Sequence, residues 1–178
     1  MKMIQIATLT LCGVVSALTL RIEAQPATAP GKFGSKWQAL LGEWKGENAS
    51  GGSAGACGFH LGLADHVIVR TNHAVLDAEG ARPAGIHDDL MIIYPGATAD
   101  KGRAMYFDNE GHVIEYDAEW SPDGNTLTFL SKPAPGPRFR LTYHKADSKT
   151  FSVSFEMAPP GQGAFKVHTA GKIRRVGG

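Results

Sequence analysis

The chain has 178 residues, 43% hydrophobic and 20% charged, with 18 Lys and Arg against 17 Asp and Glu for a formal net charge of +1. That balance gives no clustered basic footprint for nucleic acid, and the apolar content excludes a wholly disordered polymer. Two cysteines, Cys12 and Cys57, are too few for a disulfide framework, so an apolar core has to hold any domain together.

Lys2 precedes an apolar run over residues 3–20, and Ile22-Glu23-Ala24 ends on a small residue. Residues 1–24 therefore read as an export signal, which directs the protein to the periplasm or the outside of the cell. The run is at the lower limit for spanning a bilayer and is diluted by Gln5, Thr8, Thr10, Ser16 and Thr19. Cleavage is thus expected rather than a retained anchor, with no stable membrane insertion afterwards. Leu11 stands where a lipoprotein signal carries a small residue, so lipid attachment at Cys12 is not expected. Cleavage after Ala24 leaves basic and acidic side chains in equal number and Cys57 as the lone thiol. Residues 25–36, QPATAPGKFGSK, have little to bury and read as a flexible linker; the folded domain is expected over residues 37–178.

WQALLG, from Trp37, has apolar positions at helical spacing and stops at Gly42, which predicts one or two helical turns. Beyond it come short β-rich runs: HVIVR, LMIIY, AMYF, HVIEYDAEW, TLTFL, RFRLTYH, FSVSFEM and AFKVHTAGKIRRV. Segments such as DNEG, SPDGN, KPAPGP and PPGQG separate them and carry the Gly, Pro, Asp and Asn that chain reversal needs. Strands at roughly ten-residue spacing predict an all-β domain, a single antiparallel up-and-down barrel of eight to ten strands with a short N-terminal helical segment.

Alternation assigns the faces. Ile114, Tyr116, Ala118 and Trp120 oppose Val113, Glu115, Asp117 and Glu119; Phe139, Leu141 and Tyr143 oppose Arg138, Arg140, Thr142 and His144; Phe151, Val153, Phe155 and Met157 share a side. LMIIY is apolar on both faces and is expected to be covered on both, by the helical segment lying against it. His73 shares parity with Val67, Val69 and Thr71 and is expected to point inward.

The chemical motifs are sparse. GGSAG matches Gly-x-Ser-x-Gly, but no helix-forming stretch follows Ser53, so a nucleophile elbow is not expected. The seven histidines show neither His-x-x-x-His nor HExxH spacing, and no metal site is expected. GIHDDLMIIY places His87, Asp88 and Asp89 where a buried strand begins. They read either as a ligand or cation cluster or as local hydrogen-bonding groups that pair with an arginine such as Arg70 or Arg82.

GEWKG and the terminal KIRRV resemble the closure of lipocalin-like barrels, which implies that Arg174 or Arg175 lies against the Trp44 indole as a structural pair. More widely, LLGEWKGE, RTNHA, HDDLMIIY, YFDNEGHVIEY, FRLTYHK, FEMAPPG and GKIRRV resemble an exported bacterial, lipocalin-like (calycin-type) family of unknown function. A more distant resemblance is to nitrobindin and related heme-binding barrels, which share the Gly-x-Trp-x-Gly start and would make His168 the iron ligand. Strict alternation opposes that role, because it puts Phe165, Val167, Thr169 and Ile173 on the more apolar side and His168 on the other.

With no assembled catalytic motif, the expected function is a non-enzymatic, exported barrel that binds a small hydrophobic molecule. The candidate ligand-binding residues are His73, His87, Asp89, Tyr106, Tyr116 and Arg140. The alternatives are a heme protein using His168 and a filled barrel acting through its surface, with oligomeric state open.

Overall fold

The computed structural model describes residues 31–47, 54–78 and 83–177. The leader, the linker up to residue 30, Ser53 and Arg82 lie outside the described residues. Ten strands follow in order: β1 (Gly42–Glu47), β2 (Ala54–Gly62), β3 (Val67–Leu76), β4 (Gly85–Pro95), β5 (Lys101–Asp108), β6 (Val113–Trp120), β7 (Thr126–Ser131), β8 (Arg138–Lys145), β9 (Thr150–Ala158) and β10 (Lys166–Arg175). Each is antiparallel to its sequence neighbours, and β10 returns to β1 with Trp44 opposite Arg175. The sheet is a closed barrel, which removes the free edges that would invite aggregation.

The strands form where alternation supplies one apolar face. On β6, Tyr116, Ala118 and Trp120 are buried while Glu115, Asp117 and Glu119 are exposed. Gly111 and Gly124 take positive φ, 90° and 70°, in the DNEG and SPDGN turns, a conformation in which a Cβ would be strained.

One end of the barrel is filled. Trp37, Leu40, Trp44, Trp120, Leu127 and Phe129 are all buried there in one core. The expected helical segment is a single 3-10 turn, Ser35–Ala39, and it does not cover LMIIY. Instead it plugs the barrel end: Trp37 meets Trp120 edge-on at 6.1 Å and donates from Nε1 to the Ala99 carbonyl at 2.9 Å. The plug sits there because Gly34 is hydrogen-bonded to Ala99 in the β4–β5 loop and Gly102 leaves room for the indole. Phe33 packs on Trp37 with ring centroids 5.1 Å apart and the planes tilted by 55°, so packing begins inside the stretch read as linker.

The Arg175 guanidinium lies 4.3 Å from the Trp44 ring and donates to the carbonyls of Leu41 and Ala39. Arg174 points the other way, to Glu47. The sealing arginine is therefore Arg175, which joins the first strand, the last strand and the plug.

Candidate functional site

Toward the other end the interior opens. The inward-facing Ile114, Phe139, Val153 and Phe155 are only half-buried, Thr169 is exposed, and a Cβ built on Gly171 would meet nothing within 4 Å. Among the described residues the barrel is thus a cup, its inward side chains packed at one end and exposed at the other.

GIHDDLMIIY divides across its wall, because successive side chains of a strand face opposite ways. Asp88 faces outward and meets His73 opposite it on β3, Oδ1 to Nδ1 at 2.6 Å. His73 is thus an exterior residue, contrary to the inward position expected from its parity with Val67 and Val69. The inward set on β3 is Ile68, Arg70 and Asn72. Apolarity misassigns this strand because the charge of Arg70 is neutralised inside the barrel.

That neutralising partner is Asp89, which pairs with Arg70 in the interior. Asn72 Nδ2 donates to the other Asp89 oxygen at 2.9 Å, and His87 Nε2 lies 3.4 Å from the same oxygen. His87 Nδ1 reaches Glu110 in the β5–β6 turn at 3.1 Å. The Tyr106 hydroxyl, 3.1 Å from His87 Nε2, donates to Asp108 at 3.2 Å. Asp108 in turn accepts the backbone N–H of Glu110 and of His112.

Electrostatics follow from these contacts. The hydrogen bond to Asp89, with Glu110 adding and burial opposing, raises the His87 pKa to about 9, so its imidazole is a cation at neutral pH. Burial and the carboxylates of Asp89 and Asp108 push the Tyr106 phenol up and keep it neutral. Burial resists ionisation of Asp108, but its bonds to His112 and the turn outweigh that and lower its pKa. Burial also raises the Cys57 thiol, which is therefore not an activated thiolate. This wall offers protonated donors at His87 and Tyr106 beside acceptors at Asp89 and Asp108.

Tyr116 is buried at the cup floor, edge-on to Tyr106 at 6.4 Å. The opposite wall is aromatic: Phe139 and Phe155 stack at 5.7 Å with an interplanar angle of 10°. Arg140 is not in the cavity. It pairs on the outside with Glu156 and lies 4.5 Å from the Phe165 ring centroid, because its strand turns Phe139 and Leu141 inward instead.

His168 also departs from expectation. The β9–β10 register shifts between Val167 and Thr169, so Val167 faces outward opposite Glu156 while Thr169 faces inward opposite Phe155. His168 is the extra residue of that bulge, and its ring meets Phe155 edge-on at 6.1 Å. Strict alternation therefore gave the wrong side.

Asn72, Asp108, Glu110, Phe139 and Phe155 were not among the sequence candidates. The usable signal was shared parity: Arg70 and Asn72 with Ile68, and His87 and Asp89 with Met91 and Ile93. Among the described residues, no three His, Cys, Asp or Glu side chains are grouped to hold a metal ion.

No protein-family model matches the chain, and no curated protein matches it. Among solved structures, it is similar to the crystal structure of Rv2717c from M. tuberculosis, with a TM-score of 0.57 and 16% identity over 82% of this chain and 99% of that one. At that identity the likeness is one of fold: the chain is a ten-strand antiparallel β-barrel whose architecture a solved structure shares.

Proposed function

We propose that this is an exported protein that binds a small, largely apolar molecule in the open half of its barrel. The observation that carries the reading is the gradient inside the sheet: indoles and phenyl rings fill one end, while inward-facing Phe155, Thr169 and Gly171 border open space at the other. A closed barrel gains nothing from half-exposed aromatic rings, whereas an apolar ligand that covers them removes that surface from water, worth roughly 25 cal/mol per Å². The ligand's apolar body would lie on Phe139 and Phe155, and its polar group would meet His87 and Tyr106.

Native mass spectrometry of the protein purified from an exporting bacterial host tests this. A reproducible small-molecule adduct, lost when Gly171→Leu fills the cup, is the expected result. A bare chain that takes up no apolar ligand on challenge would overturn the reading.

A second reading is a heme barrel with His168 as axial ligand, favoured by the bulge that brings this ring to the inward-facing Phe155. His168 would supply the bond to iron, and Phe139 and Phe155 would provide an apolar surface for the porphyrin; heme supplies redox or diatomic-gas chemistry when bound. A Soret band that forms on heme addition and disappears in His168→Ala supports it. A band that survives the substitution rules it out.

A further inference from the structure

The polar wall of the cup holds cations, but each is already matched. Arg70, the deepest, is buried against Asp89. His87 stands between Asp89, 3.4 Å from its Nε2, and Glu110, 3.1 Å from its Nδ1. His112 at the rim gives its Nδ1 to Asp108 at 2.8 Å, and the Tyr106 hydroxyl donates to the same carboxylate. Three carboxylates, Asp89, Asp108 and Glu110, thus line this wall, and every basic group on it touches one of them.

The rest of the cup supplies no free cation inside. The facing wall, Phe139, Leu141, Val153, Phe155 and Thr169, is uncharged, and Arg140 is held outside by Glu156. Lys166, opposite Met157 on β10, is exposed at the mouth, where an ion pair is worth little. An acid drawn into the cup would therefore lose the hydration of its carboxylate beside three others, with no unmatched charge to replace the water. A hydroxyl meets no such opposition. An ionised carboxylate has about four acceptor positions, and among the described residues the Glu110 side chain meets only His87 and His112. The Tyr106 oxygen, beside His87 Nε2 at 3.1 Å, is a further acceptor.

We propose that the apolar molecule held in the cup is an alcohol and not an acid: its hydroxyl donates to the acceptors around His87, and the same carboxylates turn away fatty-acid-type anions. This rests on the ligand-binding reading above and adds the chemistry of the head group.

Calorimetric titration of the purified protein with decanol and with decanoate at neutral pH tests it. Decanol should bind about tenfold or more tighter, and Gly171→Leu should weaken both. Any apolar cavity prefers the neutral probe, so the deciding variant is Glu110→Gln, at an exposed turn position, which takes one carboxylate away from His87. Decanoate should then bind about fivefold to tenfold tighter, while decanol, which loses an acceptor, gains nothing. Decanoate equal to decanol in the unsubstituted protein, or unmoved by Glu110→Gln, overturns the inference and leaves the cup standing as a binding site. Binding of neither probe, or binding that Gly171→Leu does not diminish, overturns the cup reading itself and this inference with it.

Discussion

Arg70 on β3 and Asp89 on β4 form an ion pair inside the barrel, with side chains only 9% and 3% exposed. Each charge is tolerable there because of the other. Asp89 also accepts from Asn72, while the Nε of Arg70 has no hydrogen-bond partner among the described groups. Breaking a buried pair leaves one charge without water or partner, which costs far more than an intact pair contributes.

Arg70→Met or Asp89→Leu alone should therefore lower unfolding free energy by about 3–5 kcal/mol, and the double substitution should recover most of that loss. Asp88→Asn, one residue away but on the solvated face, should change it little. Urea unfolding of the four variants checks the contrast. Equal losses at Asp88 and Asp89 would contradict the division of the two faces.

His87 predicts a pH dependence with a definite sign. Its pKa rises from 6.5 in the unfolded chain to about 9 in the fold, so the native state holds the proton more tightly. Stability from this group is full below pH 6.5, declines as pH rises, and is lost above about pH 9. Partial solvent access keeps the contribution to the order of 2 kcal/mol. NMR titration should show one histidine deprotonating near pH 9, and His87→Gln should flatten the stability profile between the two pKa values.

The barrel seal separates two adjacent arginines. Arg175→Ala removes the cation over Trp44 and two bonds to the Leu41 and Ala39 carbonyls, and should cost about 2–3 kcal/mol. Arg174→Ala, on the exposed face, should leave the melting curve unchanged. Calorimetry of both variants reads the difference, and a larger effect at Arg174 would overturn the assignment.

Two glycines predict opposite behaviour. A Cβ at Gly102 would stand 2.9 Å from the Trp37 ring and 3.2 Å from the Tyr94 carbonyl, so Gly102→Ala should displace the plug and cost about 1–3 kcal/mol. Gly171→Leu enters open space in the cup and should keep the fold while blocking apolar dyes from the interior. Thermal melts and dye titration of both variants check the pair.

The local chemistry of the chain determined much of the architecture. Turn residues at regular intervals and period-two alternation on β6 and β8 depend only on neighbours in sequence, so they predict strands, faces and closure without reference to the rest of the fold. The Gly-x-Trp start and terminal arginines likewise pointed to the seal, though not to which arginine made it.

Tertiary structure decided what depends on partners distant in sequence. Arg70 can face inward only because register puts Asp89 beside it, and that placement moves His73 outside. One extra residue in β10 reverses the side of His168. Whether the interior is hollow depends on the sum of side-chain volumes from ten strands, and Gly171 contributes an absence that no local pattern reports. Alternation is a property of one strand; charge neutralisation, bulges and cavity volume belong to the closed sheet.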